Sequence, residues 1–212
     1  MRIHFTACIA TLLMSTSIAG AQSADPQDAQ LAHHHHLLDA AGLPGDSLYQ
    51  LQIPLETAAG KKLPLSDLRG KPLLITMFYS HCTSICPLIT SELQRIDRQL
   101  TPKQRSGVRV LMVSFDAERD APIELAKFER QHHIEDARWV VARAGPGDVR
   151  VLAAVLGIRY TELPDHTFNH SAVIALTDRE GVVRSRTVGV QAADESFLAQ
   201  LRALSESESV HH

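Results

Sequence analysis

Cys82 and Cys86 stand in the stretch Leu73 to Thr90, LLITMFYSHCTSICPLIT, and are the residues whose type and spacing best suit chemistry. A thiolate attacks disulfides and binds soft metals, so anything that favours thiolate over thiol favours both reactions. The stretch opens as an apolar run of strand length and composition and ends in an amphipathic helical pattern, which places the cysteines at a strand-to-helix turn. Such a turn presents side chains at the mouth of an α/β sheet, and the adjoining helix N-terminus favours the thiolate. At helical spacing, residues i and i+4 share a face with Cα atoms roughly 6 Å apart. Two sulfurs so placed can ligate one metal ion, and the separation also lies inside the disulfide range of about 4.4 to 6.8 Å. A purely structural disulfide, or two buried cysteines without a chemical role, is the plain alternative. Pro87 suits the first turn of a helix, where a missing N–H costs little.

The elements that must position this turn follow from periodicity. Leu51, Ile53 and Leu55 alternate as a half-buried strand, and Ala58-Ala59-Gly60 turns the chain toward Leu63 and Leu65. After the apolar strand, Ile89, Leu93, Ile96 and Leu100 have helical spacing that ends before Pro102. Arg109 to Phe115 is a second buried strand, and a helix starting near Pro122 turns Leu125 and Phe128 inward, with His132 and His133 at its end. ARWVVA is a third strand, and Val149, Leu152, Val155 and Leu156 mark a helix stopped by Gly157. Beyond a loop holding Pro164, the segment from His170 to Val190 predicts a hairpin turning across Asp178 to Gly181. A last helix carries Phe197, Leu198, Leu201 and Leu204. The order ββ-β-α-β-α-β-α-β-β-α predicts an α/β three-layer sandwich, its sheet covered by helices on both faces.

The 212 residues, 44% of them hydrophobic, suit one domain plus extensions. A formal net charge of −3 with no basic stripe gives no electrostatic footprint for nucleic acid. Residues 1–21 have the pattern of a secretory signal, with Arg2 near the start, an apolar stretch through Ile18 and Ala19-Gly20-Ala21 before Gln22. Cleavage would make the protein periplasmic or otherwise exported, whereas an uncleaved segment would anchor it to the inner membrane. Cys8 leaves with that segment, so the exported chain keeps a single cysteine pair, which points to redox or metal chemistry over a disulfide framework. Residues 22–48 are polar and Ala-rich with Pro26 and Pro44, as in a flexible linker, residues 49–205 form the domain, and residues 206–212 form a disordered tail. The linker carries His33, His34, His35 and His36, a run able to hold metal loosely but without the fixed geometry of a site; His211 and His212 are treated alike.

YSHCTSICP, VSFDAERDAP and FNHSAVIALTDREG, in that order and spacing, resemble the Sco/SenC copper chaperone family over about Leu51 to Leu204. The resemblance implies a thioredoxin-like fold, here a central mixed sheet with an added N-terminal β-hairpin. It also implies copper, as Cu(I), Cu(II) or both, held by Cys82, Cys86 and His170 and delivered to subunit II of cytochrome c oxidase or another copper-accepting protein. Two soft thiolates and an imidazole suit Cu(I) in particular, which accepts a low coordination number. His170, at the mouth end of its strand, is placed to face the cysteine turn. His166 is left to the loop or to an auxiliary role, and His81 could tune the thiolate through its charge. Asp116, Glu118, Arg119 and Asp120 match an acidic-basic motif of the family, with capping and salt bridges as their simplest roles and partner recognition second. Thr83, Ser84 and Asn169 stand where the family commonly has Pro, Asp and Asp, which removes two carboxylates from around the metal.

The same thiols would serve a periplasmic thiol-disulfide oxidoreductase that reduces the cysteines of a copper-accepting protein, with Cys82 and Cys86 as its redox-active pair. Both readings call for a thiol reductant, because an oxidising compartment pushes the pair toward a disulfide. A thiol peroxidase is a third reading, and nothing marks a separate resolving cysteine for it.

Overall fold

Residues 42–206, residue 192 excepted, are described by the structure, a computed structural model; the signal segment, His33 to His36 and the last two histidines lie outside them. Pro54–Thr57 (β1) and Lys62–Pro64 (β2) pair antiparallel as the added hairpin, with Leu55 opposite Leu63. Then follow Leu73–Phe78 (β3), helices Ile85–Arg98 (α1) and Pro102–Ser106 (α2), Arg109–Ser114 (β4), Pro122–Gln131 (α3), Trp139–Arg143 (β5) and Pro146–Leu156 (α4). The chain ends through Tyr160–Glu162 (β6), Phe168–His170 (β7), Val173–Thr177 (β8), Val183–Val188 (β9) and Glu195–Glu206 (α5).

One seven-stranded mixed sheet runs in the order β2-β1-β5-β4-β3-β8-β9. β3 pairs parallel with β4 and antiparallel with β8, and β4 pairs parallel with β5. Every residue of β3 and β8 is buried, as is all of β4 except Arg109, so layers must cover both faces. α1 turns Ile89, Leu93 and Ile96 into the core. It lies between two neighbours on its face: Gln94 Nε2 donates to His132 O at the end of α3 (2.7 Å), and Glu92 Oε1 accepts from Ala193 N–H just before α5 (2.8 Å). α4 contributes Val149, Leu152, Ala153 and Leu156 to the same core and closes the opposite face.

Three features depart from the sequence expectations. The strand that begins the C-terminal hairpin starts at Val173 and not at His170; His170 instead ends β7, which pairs with β6 in a separate two-stranded ribbon. That ribbon is three residues long on each side and mixes polar with aromatic residues, so it shows no alternation, and its turn is made by Asp165, whose Oδ1 accepts from Thr167 N–H (3.0 Å). Second, Pro102 starts α2 as well as marking the end of α1: Thr101 and Gln104 form a capping box around it. Third, the packed chain reaches back into the predicted linker, since Ser47 bridges to Val182 and Leu48, in a 3-10 turn over Leu48–Gln50, has no exposed surface.

This last contact makes Gly181 specific. Its φ is +83°, and a Cβ there would lie 2.6 Å from Cδ2 of Tyr49. Gly181→Ala should cost about 2 to 5 kcal/mol, summing a left-handed backbone at about 1 to 2 kcal/mol and an overpacked ring at about 1 to 3 kcal/mol. Gly60, at φ +73° with nothing within 4 Å of the same position, should show the backbone cost alone. Urea unfolding of the two alanine variants checks the difference.

Candidate metal centre

β3 ends at Phe78, and the chain turns through Tyr79 and Ser80 before α1. Cys82 N–H donates to Tyr79 O (3.2 Å), which closes the turn and aims the sulfur at the coming helix. α1 opens at Ile85, so Cys86 falls in its first turn and Cys82 precedes it. Ser84, at the N-cap, makes no side-chain capping bond; Cys82 Sγ takes that role by accepting from Cys86 N–H at 3.3 Å. A sulfur that accepts a helix N-terminal amide is stabilised as the anion. The Ser84 hydroxyl stands a further 3.9 Å from it.

His170 comes from the other side. β8 runs antiparallel to β3, so the chain just before Val173 lies beside the chain just after Phe78, and Thr76 Oγ1 ties the two by donating to Val173 O (2.7 Å). The His170 ring packs between Phe115, at 4.9 Å between centroids, and Tyr79, edge-on at 6.2 Å. Phe168 packs on Tyr79 and Tyr160 stacks on Phe115, so four aromatic rings fix the imidazole plane. Nδ1 donates to Ser171 O (3.3 Å), which leaves the Nε2 lone pair facing Cys86 Sγ at 3.4 Å.

The ligand atoms of Cys82, Cys86 and His170 all lie within 4.8 Å of one another. Both cysteines are free and buried, Cys82 at 7% exposure and Cys86 at 0%. The hydrogen-bonding interaction between the two thiols is the largest influence on each, holding the Cys82 thiol well below its usual range and pushing Cys86 well above it. Burial opposes the first shift and adds to the second, while the amides of Cys86 and Ser84 favour the Cys82 anion. The two thiols therefore titrate as a unit and not as separate groups. Chemically, a soft cation can bind both sulfurs once they are deprotonated, or two-electron oxidation can join them. The donor set fits copper: two buried soft sulfurs and an imidazole nitrogen whose ligand atoms lie together.

The other candidates fall outside this group. His166 is exposed, at φ +61°, and pairs with Glu162 at 2.9 Å on the ribbon. His81 turns its Nδ1 toward Ser80 Oγ (3.0 Å) and Asp120. Thr83 and Asn169 are exposed. Asp116 and Arg119 form the expected ion pair, but Asp116 closes a turn and caps no helix: Arg119 N–H donates to Asp116 Oδ1 (3.3 Å), the helix N-cap is Ala121, and the Arg119 guanidinium also reaches His166 O. Asp120 differs: its carboxylate has no surface and accepts from Ser80 N–H (2.9 Å), Ser80 Oγ (2.5 Å) and Ser114 Oγ. Sequence reasoning also missed the aromatic packing, whose signal was the placement of Tyr79 and Phe115 directly after strands.

A family model described as SCO1/SenC matches residues 48–206. The SCO1 protein homolog of Bacillus subtilis (strain 168) is 29% identical over 80 residues, 38% of this chain and 41% of that protein, so the alignment spans less than half of the relative's length. The structure of Bradyrhizobium japonicum ScoI with copper bound superposes with a TM-score of 0.61 and 26% identity, covering 72% of this chain and 96% of that one. BsSco, a member of the Sco family of cytochrome c oxidase assembly proteins in which a disulfide switch has been identified, gives 0.63 at 20% identity over 73% and 92%, a likeness of fold.

The opposite shifts of the two thiols predict unequal sulfurs. In the reduced, metal-free protein, Cys82 should alkylate at a rate nearly constant from mildly acidic to neutral pH, where an ordinary thiol slows about tenfold per unit below its pKa. Mass mapping of iodoacetamide adducts across that range checks it; Cys86 should remain the slower site throughout.

Proposed function

Because the chain belongs to the SCO1/SenC family, we propose that it is an exported copper metallochaperone that binds one copper through Cys82, Cys86 and His170. The observation that carries this reading is the convergence of two sulfurs and the free imidazole Nε2 within 4.8 Å. The copper-bound ScoI, with the same fold, supports copper over other soft metals. Both sulfurs bind as thiolates, so binding needs the pair reduced and it releases protons. Cu(I) suits three ligands, and the neutral side chains of Thr83, Ser84 and Asn169 around the site leave the two sulfurs as its nearest negative charges. The recipient is a copper-accepting protein, with subunit II of cytochrome c oxidase as the first choice, in keeping with the place of BsSco in a family of cytochrome c oxidase assembly proteins. The signal pattern of residues 1–21 supports export to the periplasm or tethering to the inner membrane, and a thiol reductant keeps the pair competent.

The second reading, a thiol-disulfide oxidoreductase acting on the recipient's cysteines, is favoured by one observation: the shallower Cys82 sulfur accepts the helix-terminal Cys86 N–H, which favours it as the attacking thiolate, while Cys86 is buried behind it as the resolving thiol.

His170 separates the two. Cys82→Ser and Cys86→Ser should each lose tight copper and the disulfide together. His170→Ala should still oxidise to a disulfide but bind copper at least ten- to hundredfold more weakly, the loss typical of even outer-shell support. Chelator competition and thiol redox titration on the same samples read both properties. Unchanged copper affinity in His170→Ala would refute the ligand assignment; weak binding with full support of oxidase assembly in cells would hand the function to the oxidoreductase.

A further inference from the structure

The buried carboxylates of this domain follow one pattern with one exception. Among the described residues, Asp116 pairs with Arg119, Glu92 with Arg95, Asp97 with Arg138 and Arg105, and Asp178 with Arg184. Asp120 is more deeply buried than any of them, at 0% exposure, and has no such partner; its ion-pair contact is the His81 ring at 3.7 Å, which is itself 53% exposed. A buried ion costs several kcal/mol unless it is paired or hydrogen-bonded. Asp120 is held by hydrogen bonds alone. Ser80 donates twice, from its amide (2.9 Å) and its hydroxyl (2.5 Å), and Ser114 donates once. Ser114 Oγ already accepts from Asp116 N–H (2.9 Å), so its own proton points at Asp120 Oδ2, which takes a second donor from the Ser80 amide.

This arrangement joins two places that the site needs joined. Ser114 closes β4, and Ser80 stands two residues before Cys82 in the turn after β3. An asparagine could make nearly the same bonds, with its oxygen on the Ser80 amide and its nitrogen on a serine hydroxyl turned to accept. Positioning alone therefore does not call for a charge, and the charge is the costly part. A fixed negative charge in a low-dielectric interior favours whichever bound state carries more positive charge. With the same three donors, copper(II) carries one charge more than copper(I).

We infer that Asp120 is a positioning residue for the cysteine turn whose fixed negative charge also shifts the bound copper toward the copper(II) state. The inference rests on the copper reading above. It adds to that reading a residue that touches no ligand atom, and it offers a physical counterweight to the neutral Thr83, Ser84 and Asn169.

The test compares the full exported chain with Asp120→Asn and Asp120→Ala, each loaded with copper, by the copper midpoint potential and by hydrogen exchange of the Ser80 amide. Asp120→Asn should keep the amide protected and weaken copper(II) relative to copper(I) by at least about tenfold, the lower end for outer-shell changes, which is an upward shift of about 59 mV for one electron. Asp120→Ala should also lose amide protection, and it should weaken both oxidation states. Failure of the parent chain to bind copper would remove the copper reading and this inference with it. If the parent binds copper and Asp120→Asn leaves the potential unmoved, the copper reading stands and the charge role is overturned. A shifted potential accompanied by lost Ser80 protection in Asp120→Asn would equally overturn it, since displacement of the turn would then account for the shift.

Discussion

The antiparallel pairing of β3 with β8 is the constraint from which the site follows. Leu73 opposite Thr177, Leu74 opposite Leu176 and Ile75 opposite Ala175 fix a register in which the end of one strand and the start of the other share an edge. Cys86 and His170, 84 residues apart in the chain, then meet at 3.4 Å without any long loop reaching across. A slip of one residue would turn every side chain of β8 to the opposite face, and full burial of both strands makes such a slip expensive. The parallel pairing of β3 with β4 adds the third wall, because it brings Phe115 and the Asp120 segment to the same edge.

Around that edge the fold trades stability for readiness. Two buried thiols held close together and a buried carboxylate held by hydrogen bonds without an arginine or lysine are each unfavourable. The cost is met locally, by the amide of Cys86 on one sulfur, by serine donors on Asp120, and by aromatic packing that holds the imidazole with its lone pair inward. A ligand set fixed in this way gives up little freedom when a metal arrives. The same fixed geometry keeps the sulfurs within reach of each other, which is why one site supports both a metal reading and a disulfide reading.

Much of this was legible in the residues. Long apolar runs such as LLITMF and VLMV could only be buried strands, and the helix from Ile85 was marked by Ile89, Leu93 and Ile96. The grouping of Cys82, Cys86 and His170 was legible as well, although His170 was singled out by the family resemblance, since a lone histidine has no signal of its own. What escaped was short or cooperative. The β6-β7 ribbon has too few residues for a period to show, and so His170 was assigned to the wrong strand. Asp120 was classed with its neighbours as a cap or ion pair, because nothing in ERD tells which acid points outward to an arginine and which points inward to serines. The Thr101-Gln104 capping box was written in the sequence, but Pro102 hid it by reading as a stop.

X-ray absorption at the copper edge, on the reduced chain loaded anaerobically with one equivalent of Cu(I), tests the central claim most directly. The account predicts copper coordinated by two sulfurs and one nitrogen, unchanged when His33 to His36 are deleted. Coordination by nitrogen and oxygen only, or copper that is lost with that deletion, would contradict it.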